Sequence, residues 1–213
     1  MAGYLGNYYT QKRHEMLNFI PLSCNRVLDV GCAAGEFACA LKRERHVEVW
    51  GIEINKEAAE KASKKLDKVL LGDIEQDHFD LPEKYFDCIV FNDVLEHLRD
   101  PWAVLQKAHS FLMKDGYIIA SIPNVRYFEN IKKLIMHKEW KYTDEGILDR
   151  NHLRFFTIKS VRELFESSGY FVETITGIRS RQFPWKFRML NYIFNGAFDD
   201  MRYPQYASVA RRR

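Results

Sequence analysis

The run RVLDVGCAAGEF at 26–37 constrains the fold of this chain more than any other segment. A short apolar stretch that contains Asp29 ends in a turn of glycine and small residues, and the turn opens a predicted helix. In α/β proteins, such a turn presents backbone N–H groups and a helix N-terminus to a nucleotide-like ligand. The run therefore predicts an α/β fold with a ligand site after the first strand.

The spacing of the glycines limits the class of ligand. A dinucleotide-binding loop needs glycine at its first, third and sixth positions, which hold Gly31, Ala33 and Glu36 in this chain. The Glu36 carboxylate would repel a diphosphate at the mouth of the helix. A P-loop is excluded as well, because no Gly-Lys-Ser/Thr follows. The loop therefore predicts a nucleoside ligand that lacks phosphates.

Short β-branched runs alternate with helical patterns along the rest of the chain, which indicates a mostly parallel sheet. The predicted strands are 26–30, 47–54, 69–71, 86–91, 117–122, 170–178 and 206–210, and the predicted helices are 36–44, 56–66, 101–113, 125–136 and 160–168. We expect a single α/β domain over 1–213. Its sheet should be Rossmann-like, doubly wound, seven-stranded and mostly parallel, with an antiparallel last strand.

Two long segments interrupt the alternation, at about 124–157 and 179–205. Connections of this length within a compact domain are usually lids or binding loops, so we expect two lid-like insertions. The many aromatic residues of the second insertion could equally cover the sheet edge or a dimer contact. Monomer and homodimer both stay open at this point.

Polar side chains stand at the carboxyl ends of the first four predicted strands: Asp29, Glu53, Asp73 and Asn92. Ligands of open parallel sheets bind outside these ends. A cluster of carboxylates suits a cationic ligand with a ribose diol better than it suits an anionic dinucleotide. Asp93, which follows Asn92, is equally well explained as a helix cap.

Segments 27–37, 51–53, 71–73 and 86–98 together resemble the class I S-adenosylmethionine-dependent methyltransferases, over roughly residues 25–125. The resemblance implies S-adenosylmethionine as cofactor and S-adenosylhomocysteine as product, and we expect no bound metal. The cofactor-binding residues that it implies are Asp29, Gly31, Cys32, Ala33, Gly35, Glu53, Ile54, Asp73, Ile74, Asn92 and Val94.

The resemblance also implies a role for each group of these residues. The turn at Gly31 approaches the methionine part of the cofactor, and Asp29 holds the charged end of that part. Glu53 accepts both ribose hydroxyls, and Asp73 accepts from the adenine amino group. Asn92, with Val94, lines the sulfonium side. Ala33 departs from the usual glycine, but a small residue still permits close approach.

Segments 122–126 and 147–157 are similar to bacterial methyltransferases associated with glycosyltransferases and surface-polysaccharide synthesis. This similarity implies O-methylation of a small molecule, a sugar or glycan intermediate. His152, with Asp149 to orient its ring, is the candidate base for a hydroxyl acceptor. The alternative is an ion-paired structural turn around these two residues. His97 is better explained by packing within the fold.

Composition adds few constraints. The net charge of +3 is small and spread along the chain, so we expect no nucleic-acid partner. No leader and no membrane-spanning run is visible, and the four cysteines show no metal-ligand spacing. Cys32, Cys39 and Cys88 are expected as small core residues, and the cytoplasm as the compartment.

Three questions stay open. A nucleic-acid methyltransferase would carry an Asn/Asp-Pro-Pro-aromatic stretch where this chain has Asn92 and the residues after it. A cofactor-binding partner module without activity is the other alternative. In the N-terminal segment, Tyr8, Tyr9 and Arg13 could fold over the cofactor or form a solvated helix surface.

Overall fold

The computed structural model of the protein describes residues 13–76 and 78–213. Its strands are β1 Arg26–Val30, β2 Glu48–Glu53, β3 Lys68–Leu71, β4 Phe86–Asn92, β5 Leu112–Pro123, β6 Tyr170–Ile178 and β7 Gln205–Arg212. They form one seven-stranded sheet in the order β3-β2-β1-β4-β5-β7-β6. The pairs among β1 to β5 are parallel, and β7 is antiparallel to both β5 and β6. The predicted sheet is therefore confirmed.

The helices of the described chain are α1 His14–Leu17, α2 Glu36–Arg45, α3 Lys56–Ala62, α4 Pro101–Phe111, α5 Phe128–Lys132, α6 Ile158–Ser167 and α7 Trp185–Ile193. Short polar side chains cap several of them. Asn55 accepts a hydrogen bond from the first turn of α3, and Asp100 does the same for α4. Thr157 and Ser160 form a reciprocal capping box at the start of α6.

Three predicted helices have different ends in the structure. The helix predicted at 101–113 stops at Phe111, because Leu112 pairs with Phe86 and begins β5. The helix predicted at 56–66 stops at Ala62. The helix predicted at 125–136 begins three residues late, as α5, and continues as a π-helical turn over Lys133–His137.

Asn124 explains the late start of α5 and joins the two insertions. Its Nδ2 donates to the carbonyl oxygen of Asp200 at 2.9 Å, and its Oδ1 accepts from the Arg126 N–H at 2.9 Å. The Arg126 guanidinium also donates to the Asp200 carboxylate at 2.8 Å. Nearby, the rings of Phe128 and Phe187 lie 4.5 Å apart. The two predicted insertions therefore pack against each other.

Adjacent residues of a central strand point to opposite faces, so β1 and β4 each contribute to two apolar cores. Leu28 and Ile89 belong to one core, and Val27 and Val90 belong to the other. Apolar cover on both faces is what a parallel sheet requires. The strand order reverses between β1 and β4, which places a crevice outside their carboxyl ends.

The cysteines behave largely as expected. All four are free thiols; Cys32 and Cys88 are buried, whereas Cys39 is only half-buried. Cys32 packs against Gly51, where an added Cβ would lie 2.5 Å from the Cys32 Sγ. In the part of the chain that the structure describes, no helix combines the length and apolar character needed to cross a membrane.

Candidate functional site

A cavity of about 320 Å³ opens at the carboxyl edge of the sheet, where the turns after β1, β2, β3 and β4 meet. Most of the sequence-predicted cofactor residues line it: Asp29, Gly31, Cys32, Ala33, Glu53, Ile54, Asp73, Ile74, Asn92 and Val94. Gly35 does not. It caps α2 with a φ of +76°, and a Cβ there would lie 3.2 Å from the Ala62 Cα. Gly35 therefore serves the turn and the packing of α2.

The turn after β1 is held close to the neighbouring strands. The N–H groups of Gly31 and Cys32 both donate to the Ile52 carbonyl oxygen, at 2.8 and 3.1 Å. Gly31 has a φ of +71°, and an added Cβ would lie 2.6 Å from the Val94 Cγ2. Only glycine satisfies both the backbone conformation and this close approach. The turn can therefore run directly beside a ligand.

The Glu53 carboxylate is buried at the end of β2 and fixed by the backbone. Its Oε2 accepts from the Ala33 N–H and its Oε1 from the Asn55 N–H, each at 2.8 Å. A carboxylate offers about four acceptor positions, so each oxygen can accept one more bond. The two oxygens can therefore accept from two adjacent hydroxyls.

Asp73 stands at the far end of the cavity, after β3. Its Oδ1 accepts from the Glu75 N–H at 2.9 Å, and its Oδ2 accepts from the Gln76 side chain at 2.8 Å. These bonds fix the carboxylate at the cavity wall. Ile74 and Ile54 line the same end and supply apolar surface for a flat ring.

Asp29 is 2% exposed, at the base of the cavity. Burial, and to a smaller extent the negative charge of Glu53, raises the pKa of its carboxyl to about 8. The group is therefore mostly protonated at neutral pH when no cation is near. A ligand ammonium beside it would favour the charged form and lower this pKa.

Asp29→Asn should stabilise the ligand-free protein at alkaline pH. The pKa in the folded state, about 8, lies above the unfolded value of 3.8, so the folded state keeps a proton that the unfolded chain releases. Stability is thus lost as pH rises through this window. We expect the variant to gain about 5–6 kcal/mol over the wild type at pH 9 and less than about 1 kcal/mol at pH 4. Urea unfolding at both pH values measures this; a gain at pH 4 equal to that at pH 9 would contradict it.

Asn92 lies at the end of β4 with its side-chain amide turned into the protein. Its Nδ2 and Oδ1 are both buried, and neither has a hydrogen-bond partner among the described residues. An unsatisfied buried polar group costs about 1–3 kcal/mol. Asn92 also lines the cavity, so a rotation of its side chain toward the cavity would let a ligand with polar atoms supply the missing partners.

Asn92→Leu should therefore change stability and ligand affinity in opposite directions. Leucine has a similar shape and no polar atoms, so the ligand-free protein should be as stable as the wild type or more stable by about 1 kcal/mol. The affinity for the ligand should fall at least tenfold. Thermal unfolding and titration calorimetry on the same preparation measure both quantities. A variant that keeps wild-type affinity would show that the amide does not face the ligand.

Asp93 does not cap a helix, so that explanation of the residue is corrected. The short 3₁₀ turn Leu95–His97 has Val94 at its N-cap, without a side-chain bond. The Asp93 carboxylate instead accepts from Arg13 and Gln205 and, at 2.9 Å, from the Ser121 hydroxyl. Arg13 thereby joins the cavity wall. Tyr8 and Tyr9 lie outside the described residues.

Burial lowers the pKa of His152 and the charge of Asp149 opposes this, but no hydrogen bond to Asp149 orients the ring as predicted. Asp149 Oδ1 accepts from the backbone and side-chain nitrogens of Asn151, at 2.8 and 3.0 Å. The His152 Nδ1 lies 3.0 Å from the Ile147 carbonyl oxygen instead. His152 is also buried, and it is not among the residues that line the cavity; His97 lines the cavity, and the two rings lie 4.6 Å apart. Among the described residues, neither insertion contributes directly to the lining.

Glu96 is a functional candidate that the sequence did not suggest. It is 1% exposed, and its Oε1 lies 4.0 Å from the His152 Nε2. Both of its carboxylate oxygens are buried without a hydrogen-bond partner in the described part of the chain. Burial raises the pKa of Glu96 to about 8 and lowers the pKa values of His97 and His152, so both rings are neutral at neutral pH. The only available signal was the position of Glu96 beside His97.

Comparisons with known proteins agree with this geometry. The profile of a family described as "Methyltransferase domain" matches residues 1–175. A ubiquinone biosynthesis O-methyltransferase of Vibrio cholerae is 25% identical over 88% of this chain and 77% of its own length. The 27-O-demethylrifamycin SV methyltransferase of Amycolatopsis mediterranei is 27% identical over 50% of this chain and 42% of its own. The crystal structure of an S-adenosylmethionine-dependent methyltransferase from Archaeoglobus fulgidus superposes with a TM-score of 0.70 and 22% identity, over 98% of this chain and 100% of that one.

Proposed function

The chain belongs to the methyltransferase-domain family and uses S-adenosylmethionine, and on that premise we propose that it methylates a hydroxyl group of a small polar molecule, a sugar or glycan intermediate. The observation that carries the proposal is one cavity that joins a buried acid at Asp29, a two-oxygen acceptor at Glu53 and an unsatisfied amide at Asn92. We take residues 1–213 as one catalytic domain.

The lining residues fit this cofactor. Asp29 is suited to the ammonium of the methionine part, Glu53 to the ribose diol and Asp73 to the adenine amino group. The positive charge of Arg13 at the wall is paired with Asp93, and the carboxylates of Glu53 and Asp73 add negative charge to the wall. That balance favours a sulfonium ligand over a phosphate-bearing one.

The cofactor supplies an activated methyl group on sulfur, and the protein supplies alignment and electrostatics. A hydroxyl acceptor must lose its proton as the new bond forms. We propose that the cluster of Glu96, His97 and His152, which we call the Glu–His cluster, promotes the loss of this proton. His97 is the member of this cluster that lines the cavity, and the ring of His152 packs against the ring of His97. Asp149 keeps a supporting role, since it fixes the turn that carries His152.

Three observations support a small polar acceptor. Asp93, Glu75 and His97 give the open side of the cavity polar walls. The two relatives are a ubiquinone biosynthesis O-methyltransferase and a 27-O-demethylrifamycin SV methyltransferase, whose names describe methylation of small molecules. The segments at 122–126 and 147–157 resemble bacterial methyltransferases associated with glycosyltransferases and surface-polysaccharide synthesis. The free thiols support a reducing compartment, the cytoplasm.

Transfer of a labelled methyl group tests the proposal. The full chain is incubated with methyl-labelled S-adenosylmethionine and separate panels of sugar nucleotides, oligosaccharides, phenols and RNA. We expect label in a hydroxyl-bearing small molecule, sugars first, and none with Glu53→Ala. Label in RNA alone would overturn the proposal. Cofactor binding with no transfer to any panel would favour a partner module without activity.

A further inference from the structure

The Glu–His cluster has the composition of a metal-binding site. Glu96, His97 and His152 each offer one ligand atom, and these atoms all lie within 4.8 Å of one another. We propose that the cluster binds one divalent transition-metal cation at the wall of the cavity. No cysteine takes part, and the two halves of the site come from distant parts of the sequence.

Backbone carbonyl groups orient both rings. The His152 Nδ1 lies 3.0 Å from the Ile147 carbonyl oxygen, and the His97 Nδ1 lies 3.2 Å from that of Asn151. A carbonyl oxygen only accepts, so each Nδ1 carries the proton and each Nε2 carries a lone pair. This arrangement, in which the second nitrogen of a ligating histidine donates to a carbonyl, is the usual one around protein-bound metals.

Glu96 supplies the negative charge. A buried carboxylate without a partner is costly, and a cation held by its oxygens would remove that cost. The charges around Glu96 are mixed: the positive charge of Arg13, which is itself paired with Asp93, and the smaller effect of the negative charge of Asp149 both reach its carboxylate. The backbone N–H groups of Leu153 and Arg154, both in the first insertion, donate to the Glu96 carbonyl oxygen at 2.8 and 3.0 Å. They hold the turn that carries His152 against Glu96.

The distances suit a small ion. Ligand atoms about 2.0–2.2 Å from a tetrahedral ion lie about 3.3–3.5 Å from one another. The 4.0 Å between Glu96 Oε1 and His152 Nε2 must therefore shorten by about half an ångström, and a pair at the 4.8 Å limit by about 1.3–1.5 Å, which rotation of the side chains can supply. Two imidazoles and one carboxylate suit zinc, iron, cobalt or manganese better than magnesium, which prefers oxygen ligands and keeps its waters.

The role of this ion rests on the proposed function. The acceptor hydroxyl would bind the cation at the cavity wall, and its pKa would fall. Its proton then passes to water, and the oxygen forms a bond to the methyl carbon as the carbon–sulfur bond breaks. The electron pair of that bond stays on sulfur, which leaves neutral S-adenosylhomocysteine.

Cobalt(II) tests the site directly, because its visible absorbance reports nitrogen and oxygen ligands. Tag-free full-length protein is stripped with a chelator and titrated with Co²⁺, and Zn²⁺ is then added as competitor. We expect one equivalent of Co²⁺ to bind and Zn²⁺ to displace it. Glu96→Gln and His152→Asn should each weaken Co²⁺ binding at least tenfold. His137→Gln, at an exposed histidine far along the first insertion, is the matched control and should bind like the wild type.

Wild-type protein that binds no Co²⁺, or that binds it equally well as Glu96→Gln and His152→Asn, would overturn the metal site. Calorimetry with S-adenosylhomocysteine on each variant shows that it is folded. If stripped protein transfers methyl groups as fast as metal-loaded protein, the role in transfer fails although the proposed function stands. If the wild type binds no S-adenosylhomocysteine, the proposed function fails whatever the Co²⁺ result.

Discussion

Glu53→Ala is expected to weaken S-adenosylhomocysteine binding by about 2–4 kcal/mol, which corresponds to about 30- to 1000-fold in Kd. The substitution removes both acceptors for the ribose diol. It also leaves the N–H groups of Ala33 and Asn55 without the carboxylate that now orients them. The turn after β1 loses one of its hydrogen bonds to β2 at the same time, so the loss should fall at the upper end of this range.

Titration calorimetry measures this loss, with two further variants beside the alanine. Glu53→Gln keeps one acceptor oxygen and should lose less affinity than Glu53→Ala. Glu173→Ala, on the edge strand β6 away from the cavity, should bind like the wild type. Wild-type affinity in Glu53→Ala would mean that the ribose does not lie at the end of β2.

His97→Ala is expected to lower turnover by about 10²–10⁴-fold, the usual contribution of a group that assists proton removal. His97 is the member of the Glu–His cluster at the cavity wall, so its loss opens a gap where the acceptor hydroxyl should lie. His152→Ala should also lower turnover strongly, because its ring packs on His97 and faces Glu96. Affinity for S-adenosylhomocysteine should change less than threefold in both variants.

The double variant decides whether the two rings act together. If they do, the turnover of the double variant His97→Ala/His152→Ala should be close to that of His97→Ala alone, because the contributions of residues that act as one unit are not additive. His137→Ala is the control with wild-type turnover. Turnover of His97→Ala within threefold of the wild type would remove the cluster from the mechanism.

The sheet was predictable because each strand carries its own signal. The apolar run before Asn92 and the β-branched stretch at Tyr170–Ile178 mark strands without reference to the rest of the chain. Helix ends were less predictable where tertiary contacts decide them. Leu112 continues a helical pattern in the sequence, but in the structure it pairs with Phe86 as part of a strand. The side-chain amide of Asn124 donates a hydrogen bond to the Asp200 carbonyl oxygen, and the helix predicted from 125 begins later.

The cofactor side of the cavity was predictable for a related reason, since strand ends in a parallel sheet meet at one edge. The acceptor side depends on side chains that are far apart in sequence. Asp149 is close to His152 along the chain, yet the hydrogen-bond partner of the His152 Nδ1 is the Ile147 carbonyl oxygen and not the Asp149 carboxylate. Glu96 gave no periodic signal, because a single 3₁₀ turn points it inward. The single domain, the lid role of the insertions and the individual cofactor contacts stay predictions.

A crystal structure of the full chain with S-adenosylhomocysteine would show directly whether the cofactor lies in this cavity. We expect ribose hydroxyls within hydrogen-bond distance of both Glu53 oxygens, the adenine amino group at Asp73 and the sulfur beside Asn92, with open space from the sulfur toward His97. Density for the ligand outside this cavity, or a ribose that does not contact Glu53, would contradict this expectation.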